Sequence, residues 1–186
     1  MTRSRALRMA LGGVAVLLAL VFTAGLTRWD EPRKNDAIHP YVSYSGRVSA
    51  ITDRRLLLIR DQESFDEMWR SHMGDRIERA GQGWPLTPTV DFNLCMVLAI
   101  FSGDRVNANG EQIESIKLES ERLVVRYDTV TYQTASIGAT DRGEPARPYG
   151  IFVLPRIDTT VVVHENTQNI IGDDPVWTER ATFRAP

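Results

Sequence analysis

The stretch Cys95-Met96-Val97-Leu98-Ala99-Ile100-Phe101 is apolar throughout and stops at Ser102-Gly103-Asp104. A continuous run of that length, with no polar alternation, reads as a central β-strand covered on both faces. Val90-Asp91-Phe92 leads into it. Downstream, Ile113, Ile116 and Leu118 followed by Leu123, Val125 and Tyr127 predict a hairpin that turns near Glu119-Ser120-Glu121, and the β-rich 129–134 extends its second strand. Tyr149 to Leu154 and Thr160 to Val163 read as a final strand pair joined across Pro155-Arg156-Ile157-Asp158. Upstream, strand signals cover Tyr41 to about Ile51 and then Leu56 to Ile59.

One helix interrupts this pattern. Phe65, Met68, Trp69 and then His72 or Met73 recur at helical spacing, so one face is apolar. Ser64 and Glu67 fit a capping box, Asp61 can cap one turn earlier, and Gly74 is a natural stop. One helix among about seven short strands predicts an α+β fold, mainly β, in which an antiparallel sheet, sandwich or barrel-like domain carries one packed helix. Gly, Pro and charge mark residues 74–89 and 135–148 as surface loops.

The N-terminus sets the expected address. Between Arg8 and Arg28 run 19 residues without a charge, centred on Val14 to Phe22. As a helix these would extend about 28 Å, close to the hydrocarbon thickness of a bilayer. They have no polar stripe, as a buried core helix would. The organisation expected is a basic cytoplasmic segment at 1–8, a transmembrane anchor or signal segment at 9–27, a linker at 28–40, a β-rich domain at 41–165 and a C-terminal extension at 166–186. Basic residues before an apolar stretch suit an anchor and a cleaved signal peptide alike, and Thr23 and Gly25 are small enough to flank a cleavage site. The anchor is favoured. Either way the domain is expected on the extracytoplasmic side, membrane-attached through the N-terminal helix or secreted if the signal is cleaved.

Charge and composition exclude some functions. The chain of 186 residues carries a net charge of −2, and removing the first 27 residues leaves 19 basic against 24 acidic groups. A mildly acidic body without a basic face disfavours nucleic-acid binding. Cys95 is the sole cysteine, so no intramolecular disulfide or cysteine-based metal cluster can form, and it reads as a small buried side chain. His39, His72 and His164 show no metal-ligand spacing, so neither a metal nor a cofactor is expected. There is no Gly-x-Ser-x-Gly elbow or phosphate loop. Glu63, Asp66 and Glu67 sit where carboxylates complement a helix N-terminus, and Asp173-Asp174-Pro175 reads as a turn. No catalytic residue is assigned. Trp84, in a Gly/Pro loop, and Trp177, in the tail, are aromatics that a partner could contact.

The order of several motifs resembles a known family. Gly46 to Ile59, Arg60-Asp61, the helix ending Met68-Trp69-x-x-His72, Val90-Asp91-Phe92, Met96 to Phe101, Gly103-Asp104-Arg105, Pro148-Tyr149 and Leu154-Pro155-Arg156 together resemble the PrcB-like C-terminal domain, over about residues 44 to 165. The resemblance implies an extracytoplasmic, mostly β module, without established catalytic residues, that stabilises or regulates a protease or other partner protein. It also implies a Gly-Gly-aromatic turn after the central strand. Here that stretch reads Asn107-Ala108-Asn109-Gly110-Glu111-Gln112, lacking one glycine and the aromatic, although Asn109-Gly110 still suits a tight turn. The leading expectation is a non-enzymatic binding or assembly module, with Trp84, Asn107, Asn109 and Gly110 as candidate protein contacts. A hydrolase whose acids and His72 or His164 meet only on folding, and a protease inhibitor, are the alternatives. Burial of His72 against Trp69 would favour the binder; an open pocket shared with Asp91 would favour the enzyme.

Overall fold

Every side chain from Met96 to Phe101 is fully buried, and the reason is a three-layer arrangement around that strand. The computed structural model describes residues 37–76, 87–133, 143–168 and 173–186. The expected membrane segment, most of the linker and Trp84 lie outside them. The described elements are β1 (Val42–Gly46), β2 (Arg54–Ile59), α1 (Gln62–Met73), β3 (Cys95–Ser102), β4 (Arg105–Val106), β5 (Ala108–Glu119), β6 (Arg122–Thr131), β7 (Pro145–Ala146), β8 (Tyr149–Pro155), β9 (Thr160–Asn166) and β10 (Trp177–Phe183). Among the described residues the protein is therefore mainly β with one helix. Among the described residues no helix is long and apolar enough to cross a membrane.

One sheet has the order β1-β8-β3-β2, a second β10-β9-β6-β5, and β4 with β7 forms a short two-stranded ribbon. Alternation along β3 divides its side chains between two cores. Met96, Leu98 and Ile100 join Phe152 and Leu154 against Ile116, Leu123, Val125, Tyr127, Val161 and Val163 of the second sheet. Val97, Ala99 and Phe101 point the other way, where with Ile151 and Val153 they meet Phe65 and Met68 of α1. Burying each such aliphatic or aromatic side chain contributes roughly 1.5–3 kcal/mol, so this strand is the most heavily stabilised part of the sandwich.

α1 begins where its sequence signals place it. Asp61 is extended, and its carboxylate accepts the Ser64 amide at 2.8 Å and the Ser64 hydroxyl at 2.9 Å. Gly74, at φ +52°, ends the helix with its amide bonded to Arg70 O. A Cβ at Gly74 would also come within 2.6 Å of Ala50. The hairpin of β5 and β6 turns at Ser120 and Glu121, both at positive φ, as expected from the sequence.

Three features differ from the expectation. β8 and β9 do not pair: both edges of β8 are occupied, by β1 and β3, so the chain crosses at Pro155 and β9 joins the other sheet. There β9 runs parallel to β6, Val161 opposite Leu123 and Val163 opposite Val125, so the second sheet is mixed rather than antiparallel. Residues 166–186, read as an extension, supply edge strand β10, which pairs antiparallel with β9 from Trp177 to Phe183. The first β region is also shorter than expected: β1 ends at Gly46, where the Tyr149 ring occupies the space a Cβ would need.

Candidate functional site: an arginine-rich end of the sandwich

Strand directions carry four connections to one end of the sandwich. β1 finishes there, β8 and β2 start there, β3 gives way to β4 and β5, β6 leads to β7, and β9 leads to β10. The opposite end carries the β5–β6 turn and the start of β3. Loops gathered on one end of a rigid sandwich are a common site of recognition.

At that end two carboxylates occupy inward positions. Glu165 continues the alternation of Val161 and Val163, and its side chain is only 6% exposed. Its Oε2 accepts from Arg54 Nη2 at 2.5 Å and from Arg180 Nε at 2.6 Å, while Arg105 Nη2 stands 3.7 Å from Oε1. Arg54 also donates to the Tyr127 hydroxyl at 3.0 Å. Burial, then the neighbouring Glu165 charge, raises the Tyr127 hydroxyl to about 12. Three guanidiniums thus converge on one carboxylate. Each keeps between about a third and two fifths of its side chain exposed.

Glu111, the second carboxylate, ties the two sheets together. It accepts from Ser102 Oγ of β3 at 2.6 Å and from Thr129 Oγ1 of β6 at 2.9 Å, while its backbone carbonyl accepts from Ser45 Oγ of β1. Burial pushes its carboxyl above the ordinary range, opposed by those two hydroxyl bonds. The Glu111 carboxylate is thus held by hydroxyls rather than hydrogen-bonded to the arginines around Glu165.

The remaining arginines here are paired. Arg47 bonds Glu144 at 2.6 Å, Arg147 bonds Asp104 at 2.8 Å, and Arg55 bonds Asp53 at 3.0 Å. An open depression of about 270 Å³ is lined by Arg47, Val48, Asp104, Arg105, Ala146 and Arg147.

The residues singled out from sequence fall in different places. Asn107, at φ +54°, is a staple between the β4–β5 and β7 segments: its Oδ1 accepts the Glu144 amide, its N–H donates to Glu144 O, and its carbonyl accepts the Tyr132 amide. Asn109 is exposed at the loop end. Gly110 is buried at φ +141°, where a Cβ would lie 2.2 Å from Ser45 Oγ and 2.7 Å from Gly46 N, so it is a point of close backbone approach. Trp177 opens β10, with Arg126 Cζ 5.9 Å from its ring centre.

His72 is 2% exposed and lies among Trp69, Phe101 and Tyr149, the last with ring centres 4.2 Å away. Its Nδ1 is 3.0 Å from Ser49 Oγ. Burial, then the nearby Arg76 charge, lowers its pKa to about 4. A neutral, enclosed imidazole at this position is a packing element. Asp91 is exposed and accepts both the backbone and side-chain N–H of Asn93. Glu63 and Glu67 are exposed on α1, and Asp173 and Asp174 are exposed before β10. Cys95 is half-buried, and burial followed by the Asp91 charge raises its thiol pKa. Among the described residues no group of three or more His, Cys, Asp or Glu side chains could hold a metal ion.

Most residues that carry the family resemblance are fold determinants. Trp69, His72 and Tyr149 pack together; Phe92 meets Phe65 edge-on; Arg156 donates to Phe92 O at 2.6 Å. Sequence reasoning did not single out Arg54, Arg180 or Glu165, and quoted Arg105 and Glu111 only within longer motifs, with no role. The available signal was a carboxylate at an inward strand position, as at Glu165 after Val161 and Val163. A search of protein-family models, curated proteins and solved structures finds no match to the chain.

Proposed function

We propose that this chain is a non-enzymatic binding or assembly module, held at the extracytoplasmic face of a membrane by residues 9–27 and recognising a partner protein through the arginine-rich end of its sandwich. The observation that carries the reading is the convergence of three partly exposed guanidiniums on one buried carboxylate at one end of the sandwich. The charge-free 19-residue segment supports the address. Enclosure of His72 between Trp69 and Tyr149 weighs against acid–base chemistry at α1. On this reading the PrcB-like resemblance points to stabilisation or regulation of a protease or other partner.

The test is fractionation and shaving of cells producing the full-length chain with a C-terminal tag. The tag is expected in the membrane fraction and open to protease added from the extracytoplasmic side. A chain recovered soluble from the cell interior overturns the address. Cross-linking before solubilisation should then give a discrete adduct of the tagged chain, and its absence across several growth conditions would oppose the binding role.

A further inference from the structure

We propose that Arg54, Arg105 and Arg180 form a receptor for a carboxylate carried by an acidic segment of a partner polypeptide. The inference rests on the binding-module reading and adds the chemistry of the ligand.

A buried carboxylate needs a counter-ion, and one hydrogen-bonded arginine supplies it. Glu165 has two, with Arg105 as a third ion-pair partner at 3.7 Å, so the cup retains a positive surplus. Glu111 spends its carboxylate on the hydroxyls of Ser102 and Thr129 and hydrogen-bonds none of the three arginines. The donors are also incompletely used. Arg180 spends its Nε on Glu165, and Arg54 spends Nη2 on Glu165 and Tyr127. Arg105, at 3.7 Å, makes an ion pair with Glu165 but no hydrogen bond. A guanidinium presents five N–H donors in a planar fork that matches a carboxylate. Among the described residues the terminal nitrogens of Arg180 and the fork of Arg105 make no hydrogen bond, which leaves them to a second carboxylate.

The surroundings favour a polypeptide over a free ion. Arg105 also lines the 270 Å³ depression, whose other arginines, Arg47 and Arg147, are neutralised by Glu144 and Asp104. Val48 and Val106, at 54% and 55% exposed, stand at the same end. An acidic side chain or chain terminus can enter the cup while neighbouring apolar groups of the same segment cover these valines. A bare phosphate would leave them wet.

The test uses the full-length chain in detergent micelles and a fluorescein-labelled short peptide of alternating Glu and Val, with a Gln/Val peptide as control, followed by anisotropy. The Glu peptide is expected to bind and the Gln peptide not. R105Q and R180Q should each weaken binding about tenfold, the scale of one charge-assisted hydrogen bond. R70Q, on the exposed face of α1, should leave it unchanged. Arg105 is 43% exposed, so R105Q is the variant expected to fold normally, checked by its urea midpoint. Equal binding of the Gln peptide, or undiminished binding by folded R105Q, overturns the proposal. So does displacement of the peptide by inorganic phosphate beyond that by chloride at matched ionic strength, which would mark a phosphate site. A cross-linked partner retained equally by wild type and R105Q would leave the binding-module reading standing and overturn the carboxylate cup alone.

Discussion

Protonating His72 should loosen the helix from its sheet, and the size of the effect can be worked out. The unfolded chain takes up this proton near 6.5 and the folded chain near 4. A histidine with a depressed folded pKa contributes stability that is complete above the unfolded value and is lost as pH falls toward the folded one. At about 1.4 kcal/mol per pH unit, keeping His72 neutral is worth at most about 3 kcal/mol between pH 6.5 and 4. His72→Phe removes this dependence and keeps a ring in contact with Trp69, Phe101 and Tyr149. It also removes the partner of Ser49 Oγ, which already accepts the Ile51 amide, costing about 1–2 kcal/mol. The two unfolding free energies should therefore cross: wild type more stable at pH 7, the variant more stable near pH 4. Urea denaturation followed by tryptophan fluorescence at several pH values measures both, since Trp69 lies 5.8 Å from the His72 ring. Parallel curves, with wild type ahead at every pH, would refute the assignment of a neutral, enclosed imidazole.

Glu111 should behave in the opposite sense. Its raised pKa means the folded protein favours the protonated acid, so this contribution is complete below the ordinary value of 4.5 and lost as pH rises through the folded value. Glu111→Gln should flatten that slope and match or exceed wild type in urea unfolding at pH 7, with one neighbouring hydroxyl rotating to accept from the amide. Glu111→Ala should cost about 1–3 kcal/mol by leaving Ser102 and Thr129 without their acceptor. Asp61→Ala should cost about 1 kcal/mol through loss of the helix cap, read as a lower urea midpoint at unchanged slope. Gly110→Ala should cost more than about 2 kcal/mol, because the new Cβ meets Ser45 Oγ and the Gly46 backbone, and thermal unfolding will show it.

What was legible in the sequence was local. The apolar run at β3 announced burial on both faces; Asp61 and Gly74 bracketed the helix; the Glu119-Ser120-Glu121 turn marked the hairpin. What escaped depended on which edges were free. Nothing local in Thr160 to Val163 says that β8 already has two neighbours, and that occupancy sends β9 across the sandwich to lie parallel to β6. Trp177 to Phe183 alternates too weakly to announce a strand, yet it pairs because β9 leaves an edge exposed. The arginine cup draws on β2, β4 and β10, positions 54, 105 and 180, so no spacing rule joins them. Of the candidate contacts, Asn109 faces outward at the loop end, whereas Gly110 was conspicuous for a backbone reason.

The most direct measurement is site-specific photocross-linking of the full-length chain in its native membranes, with the photoreactive side chain placed at Val106 or at Leu118. Both positions are more than half exposed, but they lie at opposite ends of the sandwich. The account predicts one discrete adduct from Val106, mapping to an acidic segment of the partner and lost in R105Q/R180Q, and none from Leu118. Adducts of equal yield from both positions, or a Val106 adduct indifferent to the arginines, would contradict it.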